Sequence, residues 1–394
     1  PRTCYAGVHL DEKIRAKSSS GGMFAALAEY TLEQGGVVFG AAVVPKGKIV
    51  TVKHIMIKNK EELKKLQGSK YVQSDIRECY TNVKQQLAEG KKVLFSGTPC
   101  QVAAMKNYLG KEYDDLLLVD LVCHGTPSIL HWEKSIEEKL QKDEKVSAVS
   151  FRGKEGYMQG EIEFKTEADR IRKENYSFRN DSYYSMFLNA DSYREGCYQC
   201  QYARPERDGD ITIGDFWGFE KAYDRAQIEK DAKISLEEGN SLIAVNTEKG
   251  LSICNKLNGE KMWLYAADYE EAVKYNPQLS QPSKKGKNRA LFLTLYKIGG
   301  WKLVSTYGNI KMKLRKIITL LLSAVAVVTL AGLFNVSNAA SGDKWFNAMS
   351  IYRDKYTYKA DGKTIWRLYE SSASSNTPKN EGQTIFCLHR GVGL

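Results

Sequence analysis

Four cysteines carry the strongest chemical signal in this sequence. Cys100 stands in V-L-F-S-G-T-P-C-Q, Cys123 in D-L-V-C-H-G, and Cys197 and Cys200 in C-Y-Q-C. The thiolate, not the thiol, ligates metals and attacks electrophiles. Val93, Leu94 and Phe95 read as a buried strand, and Pro99 suits the first position of a helix. Cys100 therefore falls near a helix N-terminus, where unpaired N–H groups should favour the thiolate. The plain alternative is a small residue packing a tight turn. Leu116 to Val122 is a second apolar run, ending at Cys123, and an amphipathic segment, Val102 to Leu109, lies between the two. Strand–helix–strand crossovers make neighbouring parallel strands. Cys100 and Cys123 should then share the edge of the sheet where open α/β folds bind ligands.

Cys197 and Cys200 form a C-x2-C pair, which offers two thiolates from one turn of backbone. Taken alone it is a cluster half-site, a redox pair or half of a zinc knuckle. Four thiolates suit either structural zinc or a [4Fe–4S] cluster, and the spacing leaves both open. Cys4, Cys79 and Cys254 lack comparable surroundings and read as structural. The 8 cysteines of the 394-residue chain do not suggest a disulfide framework.

The elements around them read as an α/β fold, a mostly parallel sheet with flanking helices. Lys17 to Phe24 (K-S-S-S-G-G-M-F) leads into a helix running to about Gln34. Ser19, Ser20, Gly21 and Gly22 would allow close backbone approach to a phosphate at its N-terminus, although serine is also an ordinary cap. Val37 to Val44 and Lys48 to Ile57 read as paired strands. Gly68, Ser69, Lys70 and Tyr71 form a second candidate anion-binding loop, with an aromatic ring to stack on a ligand; an ordinary turn fits as well. A helix is expected over Asp75 to Glu89 and another from Ser128. Strands are expected over Val146 to Phe151, Gly160 to Thr166, Asp210 to Gly218 and Gly239 to Asn246. His124, beside Cys123, is a candidate proton or hydrogen-bond donor, and Lys70 a candidate partner for a phosphate or a reduced, anionic ring. Each also has an ordinary structural reading. The formal net charge is +11, but Lys and Arg are interspersed with Asp and Glu along helical stretches. That pattern reads as solvated helix faces rather than a nucleic-acid surface.

The runs K-S-S-S-G-G-M-F, G-S-K-Y-V-Q-S, F-S-G-T-P-C-Q, D-L-V-C-H-G, C-Y-Q-C and D-I-T-I-G-D-F-W-G follow in that order. Over about residues 4–255 the chain resembles the coenzyme F420 hydrogenase/dehydrogenase beta-subunit family. The resemblance implies an iron–sulfur flavoprotein oxidoreductase in which Cys100, Cys123, Cys197 and Cys200 hold a [4Fe–4S] cluster. It implies FAD against Ser19 to Gly22 and Gly68 to Tyr71, with Thr98 and Gln101 beside it. The expected division is an N-terminal domain, 4–85, a cluster-binding domain, 86–255, and a helical extension, 256–311.

The implied partners are ferredoxin or another electron-transfer protein and a small-molecule acceptor, which in some relatives is coenzyme F420. Some bacterial relatives occur with polysaccharide-biosynthesis enzymes. Many relatives carry a leading C-x2-C-x2-C-x3-C segment, which is not found here. Electrons are then expected from a segment ahead of Pro1 or from another protein. A zinc-stabilised binding protein of the same fold is the competing reading.

From Met312 the character changes. Lys313, Arg315 and Lys316 precede the apolar run Ile317 to Phe334 and the small residues Ser337 to Ala340. That is the layout of a secretory signal peptide, here at 312–340 and out of place, or of a transmembrane helix. Residues 341–394 resemble the start of a Gram-positive surface adhesin with a thioester domain, with Cys387 as the reactive residue. A fused or misassembled reading frame accounts for both, and a membrane-anchored surface protein is the alternative. Residues 1–311 are expected in the cytoplasm, and contact with a membrane only if 317–334 is a genuine part of the protein.

Overall fold

The computed structural model describes residues 3–152, 159–237, 239–337, 364–371 and 385–392. The chain divides into two compact units, Pro1–Met312 and Lys313–Leu394.

The first unit is built on an eight-stranded sheet. Its strands are β1 (Cys4–His9), β2 (Val37–Lys46), β3 (Ile49–Ile57), β4 (Val93–Gly97), β5 (Leu116–Leu121), β9 (Ile211–Asp215), β10 (Ser241–Val245) and β11 (Met262–Ala267). The spatial order is β11-β1-β10-β9-β5-β4-β2-β3. The four central strands, β9, β5, β4 and β2, run parallel, as expected from the crossovers. The strands on either flank pair antiparallel.

Both faces of the centre are covered, which is why β4 and β5 read as unbroken apolar runs rather than alternating ones. Leu94 and Leu117 face a core shared with the helices Met23–Glu33 and Glu248–Leu257. Val93, Phe95, Leu116 and Leu118 face the helices Cys79–Ala88 and Pro99–Leu109. The helix expected from Asp75 thus starts at Cys79.

A second, three-stranded antiparallel sheet comprises β6 (Glu144–Ser150), β7 (Gln159–Thr166) and β8 (Ile171–Ser177). Its core holds Trp132, Phe164, Tyr183 and Tyr184 and is closed by Phe292, Trp301 and Val304. Those last three belong to the long helix Arg289–Ser337, which is broken at Gly299 and Gly300. Gly300 has φ of 61° and ψ of −156°, a conformation open to glycine and to few other residues.

The apolar run Ile317 to Phe334 continues this helix. Ala339 and Ala340, the end of the expected signal-peptide segment, lie outside the described residues. Among the described residues no helix is long and apolar enough to cross a membrane. In the second unit, β12 (Thr364–Ser371) and β13 (Ile385–Val392) pair antiparallel, with Tyr369 opposite Cys387.

Strand register gathers the chemistry at one edge. Gly97 at the end of β4 pairs with Asp120 near the end of β5. Cys100 and Cys123 each follow three residues later, Cys100 in the first turn of the helix Pro99–Leu109 and Cys123 in the loop after β5. Asp215 ends β9 and pairs with Ser241, the first residue of β10, which pairs in turn with Gly7 near the end of β1. The Ser19–Gly22 turn is fastened at the same place. Gly21 O accepts from His9 N at 2.7 Å, and Gly21 N donates to Ser241 Oγ at 3.0 Å. A Cβ on Gly21 would stand 2.1 Å from Gly7 O, so no larger residue fits.

Candidate functional site

That edge opens into a cavity of about 930 Å³. Its wall carries Ser19, Ser20 and Gly22, then Gly68 to Tyr71, then Thr98 and Gln101, and also His124. Gly21 is not on the wall, because its backbone is spent on β1 and β10. The two serine- and glycine-rich loops touch one another. Ser69 N donates to Ser19 Oγ at 2.9 Å, and the two hydroxyls lie 3.0 Å apart. Ser20, with φ of 50°, and Gly22 and Gly68, near 80°, give these loops their left-handed turns. Gly22 is also the N-cap of the helix Met23–Glu33 and supplies no capping side chain. The first turn's N–H groups are therefore left without a side-chain cap of their own.

A smaller cavity of about 40 Å³ adjoins the first and is lined by Cys100, Cys123, Cys197 and Cys200 together. All four thiols also line the large cavity. Cys100 is exposed and the other three are half-buried. Their closeness shows in their electrostatics: Cys197 and Cys200 each push up the Cys100 thiol, and the other three each push up Cys123.

Burial is the larger cause at both. It raises the Cys123 thiol to about 12, and the Cys100 thiol is also raised. At Cys100 this direction opposes the helix-end preference for the thiolate in the metal-free protein. A bound metal replaces the proton and removes that penalty. Among the described residues no group of three or more His, Cys, Asp or Glu side chains is arranged to hold a metal ion.

Lys70 is not a surface lysine. Its ammonium donates to Leu66 O and Gln67 O, both at 2.8 Å, and burial lowers its pKa to about 7. Tyr71 stacks on Phe187, with ring centroids 4.7 Å apart and planes 22° apart. One face of its ring is thus taken by the protein. His124 is held below the ordinary histidine range by burial, against an upward pull from Asp215.

The Lys70 shift makes a prediction for the metal- and cofactor-free chain. The folded pKa, about 7, lies below the unfolded value of about 10.4. Between those values the unfolded state binds the extra proton, so stability rises with pH from about 7 to about 10, by several kcal/mol in order of magnitude. Lys70→Met is expected to flatten that slope in urea titrations at pH 7, 8.5 and 10. An unchanged slope would refute the burial of the ammonium.

Sequence reasoning missed four wall residues. His54, on β3, stacks on Phe95 with centroids 5.4 Å apart, and burial lowers it to about 4. Arg152 and Asp215 form a two-pronged ion pair, Nη1 to Oδ1 at 3.0 Å and Nη2 to Oδ2 at 2.7 Å, which ties the small sheet to the end of β9. Asp215 was within reach of sequence reading, as the last residue of an alternating strand at the ligand edge.

Arg207 was not. Its side chain is 1% exposed and lines the four-thiol cavity. It donates to Tyr202 O, Leu121 O and Thr212 Oγ1 and lies 3.4 Å from the fully buried Asp120 carboxylate. Arg207, the Thr212 hydroxyl and the Gly209 N–H all draw on that carboxylate.

Residues 4–79 match the N-terminal model of the coenzyme F420 hydrogenase/dehydrogenase beta subunit, and residues 90–270 match its C-terminal model. Neither match reaches the tail, so the surface-adhesin resemblance of residues 341–394 stands without support. No curated protein matches the chain. A solved structure, the xenon-derivatised F420-reducing [NiFe] hydrogenase complex from Methanosarcina barkeri, aligns at 17% identity. The alignment covers 75% of this chain and 93% of that one, with a TM-score of 0.43, too slight a likeness to argue from. The two family matches span well over half the sequence and meet at the thiol-lined edge, and on them the chain belongs to the coenzyme F420 hydrogenase/dehydrogenase beta-subunit family of oxidoreductases.

Proposed function

We propose that the chain is an iron–sulfur flavoprotein. Cys100, Cys123, Cys197 and Cys200 would hold one [4Fe–4S] cluster, and the large cavity would hold FAD. The observation that carries this reading is the shared wall: four thiols line a small cavity and also face a 930 Å³ one. A single zinc at about 2.3 Å from each sulfur needs the thiols packed closely around one point. What favours a cluster over structural zinc is the family, whose oxidoreductases carry iron–sulfur centres.

When bound, the two groups supply paired and single electron transfer, which no side chain here supplies. The chain's residues position and insulate them. The Gly22 helix start and the Ser19–Ser69 contact suit a phosphate. Lys70, poised near neutrality, can place or withdraw a positive charge at the cavity wall. His124, held below the ordinary histidine range, suits hydrogen bonding more than charge. Arg207 offsets part of the negative charge of four thiolates.

Ferredoxin or a similar carrier is the proposed electron partner. The proposed acceptor is a small molecule, with coenzyme F420 one candidate, and a link to polysaccharide biosynthesis rests on the resemblance alone. All seven described cysteines are free, which fits a reducing compartment such as the cytoplasm.

The test is anaerobic purification of the full chain, a visible spectrum, and iron, sulfide and flavin assays. Flavin bands over a broad shoulder near about 400 nm are expected. A colourless protein carrying one zinc would overturn the redox reading.

A further inference from the structure

One hydrogen-bond chain runs from the wall of the large cavity to the Cys100 sulfur, and its direction can be worked out. Thr98 N–H can only donate, and it meets Gln101 Oε1 at 3.0 Å. The Gln101 amide is thereby oriented, so its Nε2 donates to Ser74 Oγ at 3.0 Å. Ser74 then gives its own hydrogen to His54 Nδ1, 2.8 Å away. His54 must carry its proton on Nε2, which donates to Ser96 O at 2.9 Å. Burial keeps this imidazole neutral, in agreement with that single tautomer.

One hydrogen is left undecided. The Thr98 hydroxyl has two acceptors within reach, Gln101 Oε1 at 3.1 Å and Cys100 Sγ at 3.2 Å. With a free thiol, Cys100 can donate to Thr98 Oγ1, and the hydroxyl then points to Gln101. A metal-bound cysteine sulfur has no proton and can only accept. The hydroxyl can turn to it at little cost, because Gln101 Oε1 keeps the Thr98 N–H bond. No buried polar group loses its last partner in either state.

We propose that the Thr98 hydroxyl is a positioning donor to the metal-bound Cys100 sulfur, held in register by Gln101, Ser74 and His54. The inference rests on Cys100 being a cluster ligand. A hydrogen bond draws electron density from a ligand sulfur, which favours the reduced cluster and raises its potential. Thr98, expected from the sequence to border the flavin, lines both cavities, and Gln101 lines the large one.

The experiment reconstitutes the cluster in the full-length wild type and in Thr98→Val, Thr98→Ser and Ser74→Ala. It then measures iron content and an EPR-monitored midpoint potential for each. Thr98→Val keeps the shape of the side chain and removes the donor. Its expected result is full iron with a lower potential, restored towards wild type in Thr98→Ser. Ser74→Ala, which loosens the chain away from the helix cap, is expected to give a smaller shift in the same direction. It carries the test should Thr98→Val fail to retain iron.

A Thr98→Val cluster with wild-type potential, or a Ser74→Ala cluster with none of the shift, would overturn this inference and leave the iron–sulfur reading intact. A wild type that takes up no cluster, or a Cys100→Ser protein that binds one unchanged, would overturn the assignment of Cys100 and this inference with it.

Discussion

Serine at Cys123 is expected to strip the protein of iron and of the colour that accompanies it, from about four irons per chain to nearly none. Serine at Cys4, Cys79 or Cys254 is expected to leave both unchanged. The contrast follows from where the seven described thiols sit. Cys123 shares a cavity with Cys100, Cys197 and Cys200, and each of those three acts electrostatically on it. Cys4, Cys79 and Cys254 are 3%, 5% and 1% exposed, each inside a different apolar core. Burial raises all three to about 12, so they stay protonated and inert. A hydroxyl placed in those cores costs about 1–3 kcal/mol, which urea denaturation would register without any change in iron. The measurement is iron and sulfide per chain after anaerobic purification. Iron retained at full stoichiometry in Cys123→Ser would remove that residue from the ligand set.

Arg207→Met is expected to be the most destabilising single change at the site, by about 3–5 kcal/mol in urea denaturation at pH 7. Methionine has the volume to fill the space. The loss comes from Asp120, left as an uncompensated carboxylate with no exposed surface. Asp120→Asn in the same chain is expected to recover most of it, because the charge goes with its partner. Full additivity of the two changes would count against the pair.

The pair also sets a pH dependence. Burial raises the Asp120 pKa from 3.8 to about 6, against the downward pull of Arg207. The folded state therefore holds this proton more tightly than the unfolded state between pH 4 and 6. On this group's account stability falls as pH rises through that window, by about 3 kcal/mol. Arg207→Met should steepen the fall, and Asp120→Asn should abolish it.

How much of this was legible beforehand varies from residue to residue. Cys100 and Cys123 could be placed on one edge because apolar runs and an intervening helix dictate parallel neighbours. Register then added what sequence lacks, that both stand three residues past a paired position. The C-Y-Q-C pair announced itself by spacing. The Ser19 and Gly68 loops were found as turns, but their mutual contact joins residues 50 apart and leaves no local trace.

Lys70 was undecided between surface and site because one lysine in a turn says nothing of its burial. His54, Arg152 and Arg207 were invisible for a like reason: each is a lone polar residue whose partners come from distant segments. Asp120 offered a hint, a charge within L-L-L-V-D-L-V, but its partner lies 87 residues further on. The strands β8 and β11 were missed as well. β8 alternates charged residues with few apolar ones, and β11 is aromatic and only half-buried, so neither carries the usual contrast.

One pairing has a bearing on how the protein comes to be made. β1 is the first strand in the sequence, yet it lies inside the sheet between β10 and β11. Those strands begin more than 230 residues later. During synthesis at about 5–20 residues per second, the first strand waits roughly 10–50 s for its neighbours. Its apolar residues Ala6 and Val8, fully buried in the finished protein, have no native place to go in that interval. The two segments matched as separate family models thus complete one sheet together, and the nascent chain between them is a natural client for chaperones. Slowing translation after residue 100 should lengthen that exposure and increase aggregation.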